Sequence, residues 1–211
     1  MTKDDVIELI KQHLGFYSNF DSITLLRNMD LVQSLYEGGD ATVPLPWFLF
    51  DATATLVTTP GDRVVVLPEN FICFDEEWPL KAVSAQGQER ELCRAREISL
   101  LELSLASGEP THYSFDGTRL YVAPIPDASY VIKAPYYARG TALSSAVTSP
   151  WFANFPRLIA EETAYYVSLG NRDRELRSAL NDLRTLTKFG YLARVEQMRH
   201  SLMLYTSNRE G

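Results

Sequence analysis

The sequence predicts an α+β fold: a bundle of about four helices, drawn from both chain ends, with a small antiparallel β domain inserted between them. Three observations carry this. Helical spacing of apolar residues governs the first 40 residues and returns from Ser149 onward. Between them, from roughly 42 to 140, proline, glycine, valine and aromatics replace that spacing. Within this middle stretch the string THYSFDGTRLYV (111–122) places Asp116-Gly117 between β-rich arms. The expected division is 1–41 for N-terminal helices, 42–148 for the β insertion, and 149–211 for C-terminal helices and a flexible tail.

Each element has a local cause. Thr2 followed by Asp5 forms a capping box, Val6, Leu9, Ile10 and Leu14 share one face, and Gly15 ends the helix. Asp21 caps a second helix whose stripe is Leu25, Met29, Val32 and Tyr36, widened by Leu26 and Leu35 and stopped at Gly38-Gly39. Arg63 to Leu67 reads as a strand closed by Pro68, and Phe71 to Phe74 as a short buried piece. The Asp116-Gly117 pair predicts a two-residue turn demanding positive φ, in a hairpin of 111–115 with 118–123. Alternation of Tyr130, Ile132, Ala134 and Tyr136 predicts one further strand, with Pro135 marking an edge or a bulge at its end. Ile98 to Ala106 reads as a short helix.

After Ser149, Pro156 fits a first helical turn, with Asn154 as cap. The following run, Leu158 to Leu169, is apolar on most sides and predicts the most buried helix, broken at Gly170-Asn171. A long helix is expected from about Arg172 towards Leu204. Leu176, Leu180 and Leu183 begin its seam and Leu192, Val195, Met198 and Leu202 end it, with Gly190 as a kink or a close-contact site.

Charge narrows the function classes. Twenty Lys and Arg against 27 Asp and Glu leave a net charge of -7. That is the wrong sign for a generic nucleic-acid binder or an anionic-membrane binder. The charge is uneven: residues 1–40 carry 3 basic and 7 acidic groups, residues 157–211 carry 9 and 7. Opposite signs at the two ends favour their packing or the docking of neighbouring subunits. The acidic, amphipathic N-terminus has no signal core, no apolar run is long enough to span a bilayer, and Cys73 and Cys93 read as free thiols of a reducing compartment.

Chemical motifs are scarce. His13, His112 and His200 have no metal-ligand neighbour at helical spacing, and no phosphate-cradling or nucleophile-elbow string occurs. No catalytic, metal or cofactor residue is assigned. Asp75-Glu76-Glu77-Trp78 reads as an exposed acidic loop, and Glu161-Glu162 as carboxylates suited to a helix N-terminus. Trp47 to Phe50 and Pro150-Trp151-Phe152 are aromatic clusters divided between core and protein contacts. Met203-Leu204-Tyr205 reads either as an inserted peptide or as a frayed helix end.

The order of motifs resembles a known family. A strand ends in LPENF (67–71). Tyr113 and the Asp-Gly hairpin follow, then Ala-Pro-Ile-Pro-Asp (123–127), a strand ending in Tyr136-Tyr137, a Trp-Phe linker, and two helices. From about residue 20 to 190 this is similar to the adaptor, or head-to-tail connector, proteins of tailed bacteriophages. The resemblance implies a non-enzymatic virion neck protein assembled in the host cytoplasm. It implies a ring, usually of twelve copies, beneath the portal, through which DNA passes during ejection without specific binding. The implied partners are the portal protein, a tail nozzle or tail-tube protein, and further copies of the chain. Portal or subunit contacts are then expected at Met203, Leu204, Tyr205, Arg199, Trp151 and Phe152, and tail-side contacts at Asp75, Glu76, Glu77 and Trp78. A tail-completion or tail-tube component is the alternative, and a small enzyme with a dispersed site a more remote one.

Overall fold

A computed structural model describes residues 1–15, 20–38, 43–75, 77–96, 106–170 and 173–207, with side chains as far as residue 201. The chain divides into a helical unit, Met1–Phe48 with Gly140–Gly211, and a β unit, Leu49–Arg139. The fold is α+β, with helices at both ends of the chain and strands between.

The helical unit holds α1 (Lys3–Leu14), α2 (Ser22–Glu37), α3 (Pro150–Asn154), α4 (Pro156–Ser168) and α5 (Arg174–Ser207). At α1, the Thr2 side chain accepts from Asp5 N and the Asp5 carboxylate accepts from Thr2 N at 2.7 Å, the reciprocal pair of a capping box. Gly15, at φ 58°, supplies the backbone that ends the helix. Asp21 caps α2 by accepting from Thr24 N at 2.6 Å. The cap before α4 differs from expectation. Ser149 caps the short α3, Asn154 donates to Pro150 O within it, and Pro156 opens α4 with no side-chain cap.

Helix α4 is the centre of this unit, packing against α1, α2 and α5. It is buried on nearly every side, including Leu158, Ile159, Ala160, Ala164 and Val167. Segment 140–148 belongs to this unit rather than to the strands. Helix α5 runs unbroken through Gly190, where an added Cβ would meet nothing within 4 Å, so Gly190 is not a close-contact site.

The β unit holds β1 (Phe50–Asp51), β2 (Thr55–Val57), β3 (Val64–Val66), β4 (Phe71–Phe74), β5 (Lys81–Val83) and β6 (Glu89–Glu91). It continues with β7 (Cys93–Arg94), β8 (His112–Phe115), β9 (Arg119–Ala123), β10 (Val131–Lys133) and β11 (Tyr136–Ala138). They form three small sheets, ordered β1-β11-β4, β2-β10-β5-β6 and β3-β9-β8-β7, antiparallel except for the parallel β7–β8 pair. Leu56, Phe71, Leu80, Leu120 and Ile132 are among the side chains of their shared core.

Two expectations are corrected here. The strand expected across 130–137 is two strands, because Pro135 cannot donate to a ladder. Its halves, β10 and β11, are interior strands of two different sheets, and the register shifts at Tyr137/Ala138. In the hairpin, Phe115 pairs with Leu120 and Asp116 N donates to Arg119 O, which puts Gly117 and Thr118 at the tip. Only Gly117 has positive φ, at 97°, so the turn sits one residue later than the Asp-Gly reading. The expected helix at 98–106 falls almost wholly outside the described residues, as do Gly39, Asn171 and Arg172.

Candidate assembly surface

The inner side of α2 is partly polar, and this fixes how the chain returns to the bundle. Gln33 and Glu37 lie one turn apart, each 4% exposed. Glu37 accepts from Gln33 Nε2 at 2.9 Å, Gly140 N at 3.2 Å and the Trp151 indole N–H at 2.7 Å. Gln33 donates to Thr141 O at 3.1 Å and accepts from Leu143 N at 3.0 Å. Asp30 accepts from Ser144 N at 2.8 Å. An irregular segment packed against helices needs partners for its backbone groups, and these three side chains supply several of them.

Glu161 and Glu162 serve a similar end. Both are 5% exposed, too buried for their proximity to the start of α4 to explain them. Glu162 accepts from Tyr36 OH at 3.0 Å and from Arg184 Nη1 at 3.0 Å, and Glu161 accepts from Thr187 Oγ1. The Arg184 guanidinium also lies 3.8 Å from the centroid of the Tyr165 ring. Burial, then the charge and hydrogen bond of Glu162, push the Tyr36 phenol far above its usual range. Burial, with the charge of Glu37, does the same to Tyr191, whose hydroxyl donates to Pro44 O at 2.7 Å.

Three of these groups, Tyr36, Glu162 and Arg184, line a groove of about 470 Å³ together with Leu35, Lys188 and Phe189, among others. The Glu162 carboxylate is neutralised by Arg184, and the Thr185 hydroxyl, also in the lining, donates to Asn181 O. Tyr36, Glu162 and Arg184 are therefore spent on holding α2, α4 and α5 together. Among the described residues, no three His, Cys, Asp or Glu side chains converge to hold a metal ion.

Apolar side chains of α2 and α5 are open to solvent. On α5, Leu183, Leu186 and Phe189 are 42%, 70% and 67% exposed. Ala179, Gly190 and Ala193 are exposed beside them. Leu183 thus leaves the seam expected for it, and the buried side of α5 runs instead through Leu180, Tyr191 and Val195. On α2, Ile23, Leu31 and Leu35 are 77%, 43% and 44% exposed, so Leu35 does not widen the buried stripe.

The residues expected at interfaces separate. Trp151 and Phe152 are buried at the centre of the unit, where Trp151 packs against Tyr36, Phe48, Phe155 and Tyr191, so they present no surface to a partner. Arg199 is half-buried on α5. Met203, Leu204 and Tyr205 continue the helical backbone, with side chains outside the described residues. In the β unit Asp75 is buried and accepts from Glu77 N at 2.9 Å, in a local turn rather than a wholly exposed loop. Glu77 is exposed, Trp78 packs on Phe50 with ring centroids 5.5 Å apart, and Glu76 lies outside the described residues.

The exposed seam of α5 is the feature that spacing along the chain could have revealed. Ala179, Leu183, Leu186, Gly190 and Ala193 follow each other at intervals of 4, 3, 4 and 3, a second seam beside the buried one. The contacts of Asp30, Gln33 and Glu37 with segment 140–144 had no local signal, since their partners lie more than a hundred residues away.

A search among curated proteins finds no match. Compared with protein families, the chain matches the SU10 adaptor protein family over residues 1–207, which takes in both helical segments and the whole β unit. With nearly its entire length matched, the chain belongs to the SU10 adaptor proteins, a family of phage head-tail adaptors.

Proposed function

We propose that the chain is a structural neck protein that assembles as a ring, of about twelve copies, between the portal and the tail. The family match across residues 1–207 carries this reading. The exposed apolar residues of α2 and α5 support it, because a protein that works alone gains nothing from leaving such side chains in water. The net charge of -7 supports passage of DNA through the ring, since acidic walls repel phosphate and keep it from sticking. The protein acts by assembly and without turnover. The portal lies on one side of the ring and a nozzle or tail-tube protein on the other.

Mass photometry of the protein alone, and mixed with the portal ring of the same particle, tests this. The portal is expected to grow by about twelve subunit masses of 23.9 kDa each. A protein that leaves the portal mass unchanged and instead joins purified tails is a tail-completion component. A reconstructed ring whose bore is neutral or basic overturns the account of DNA passage.

A further inference from the structure

We propose that the outer seam of α5, centred on Leu183 and Leu186, seats the outer face of α2 from a second copy of the chain, in a head-to-tail contact. The proposal rests on the adaptor reading above and names the surfaces through which the copies meet.

The first observation is a helix with two apolar faces. One face of α5 is buried through Leu180, Tyr191 and Val195. The other carries Ala179, Leu183, Leu186, Gly190 and Ala193 at alternating intervals of 4 and 3, all exposed. A seam of that period is what one helix offers another, knobs into holes. Its small members let a partner backbone come close, and at Gly190 the space an added side chain would fill is open.

The second observation selects the occupant. The outer face of α2 exposes Ile23, Leu31 and Leu35, and Arg27 is the one exposed charged residue of that helix. On α5 the exposed acids Glu175, Asp182 and Glu196 lie on the outward side, bordering the seam. Of the cations of α5, Arg184 lies over Tyr165, Arg194 over Trp47 and Phe155, and Lys188 lines the groove. Among the described residues neither Arg27 nor Asp182 has an ion-pair partner. An apolar face with a lone cation thus meets an apolar seam with an acidic border. The lengths also agree: at 1.5 Å per residue, Ile23 to Leu35 spans about 18 Å and Ala179 to Ala193 about 21 Å.

Because the two faces differ, each copy keeps one of each unsatisfied until a ring closes. Pairing of two α5 seams would close a dimer instead and would bring their acidic borders together.

Disulfide trapping distinguishes these arrangements. In a background with Cys73→Ser and Cys93→Ser, Leu31→Cys and Leu186→Cys are made separately and oxidised at the highest attainable protein concentration. Head-to-tail contact predicts little product from either variant alone, a dimer band when the two are mixed, and a ladder of multimers from the doubly substituted chain. Arg27→Glu is expected to reduce the mixed dimer about tenfold, and Asp182→Lys on the partner to restore it. A dimer from Leu186→Cys alone, or no product from the mixture, overturns the proposal. The adaptor reading fails separately, if the unsubstituted chain does not join the portal ring.

Discussion

Asp116 concentrates four hydrogen bonds on one carboxylate at the hairpin tip. It accepts from Thr118 N, Arg119 N, the Thr118 hydroxyl and Tyr121 OH. The bond from Thr118 N, followed by those from Tyr121 and Arg119, holds its carboxyl down to about 2. The unfolded chain titrates near 3.8. Stability from this group is therefore present above that value and is lost as the pH falls from there towards 2. Titration of the Asp116 side chain by NMR is expected to give a midpoint near 2, and Asp116→Asn is expected to flatten the loss of stability across that window. Glu162 and Arg184 illustrate a different cost. Their side chains are 6% and 26% exposed, so Arg184→Met leaves a buried carboxylate with Tyr36 as its remaining donor among the described residues. A loss of about 2 kcal/mol is expected, less than for a fully buried pair because Arg184 reaches solvent. Chemical denaturation measures it, and Glu162→Gln added to Arg184→Met should recover part of the loss. Of these two residues, the sequence disclosed the turn at Asp116 but not its donors. For Glu162 it suggested a helix-end role, because adjacent acids carry no mark of a partner 22 positions away.

At the scale of elements, those fixed by nearest neighbours were legible. The capping box of α1, the cap of α2 and the all-round burial of α4 follow from residues within one turn or one period. The β10–β11 split was half legible, since Pro135 announced an interruption while the assignment of its two halves to separate sheets depends on β2, β5, β1 and β4. Two tests belong here. Gly190→Ala places a better helix former at an exposed, uncrowded site of α5, so the isolated chain is expected to gain about 1 kcal/mol in denaturant unfolding. Tyr36 and Tyr191 connect the helices to pH. Both phenols titrate far higher in the folded chain than the ordinary value of 10.0. Above that value the unfolded chain loses protons that the folded one keeps, so stability falls as pH rises. The doubly substituted Tyr36→Phe, Tyr191→Phe chain is expected to be less stable at neutral pH, having lost two hydrogen bonds, and less sensitive to alkali. Unfolding midpoints at pH 8 and at pH 11 measure both effects.

For the whole molecule, family membership was legible through the order of motifs rather than through any cluster of reactive groups. Assembly leaves a fainter trace than catalysis, because an interface is spread over several helices and its partner is absent from the chain. The second seam of α5 shows this: its spacing was present in the sequence, yet only the exposure of Leu183 and Leu186 separates it from the core seam. The same reasoning bears on the end of α5. The last side chain buried within the described part of that helix is Val195, and Met198 is half-buried. Removing residues 203–211 therefore deletes none of the described core. The truncated chain is expected to keep its helical circular dichroism and its unfolding midpoint. If the terminal segment orders on the portal, its contacts form only there, and the ordering cost keeps free copies apart until a template supplies the compensating surface. Truncation should then abolish growth of the portal mass while leaving the cysteine-trapped contact between copies intact. Normal growth with the truncated chain would place the portal contact elsewhere, and loss of both contacts would assign the segment to the joint between copies.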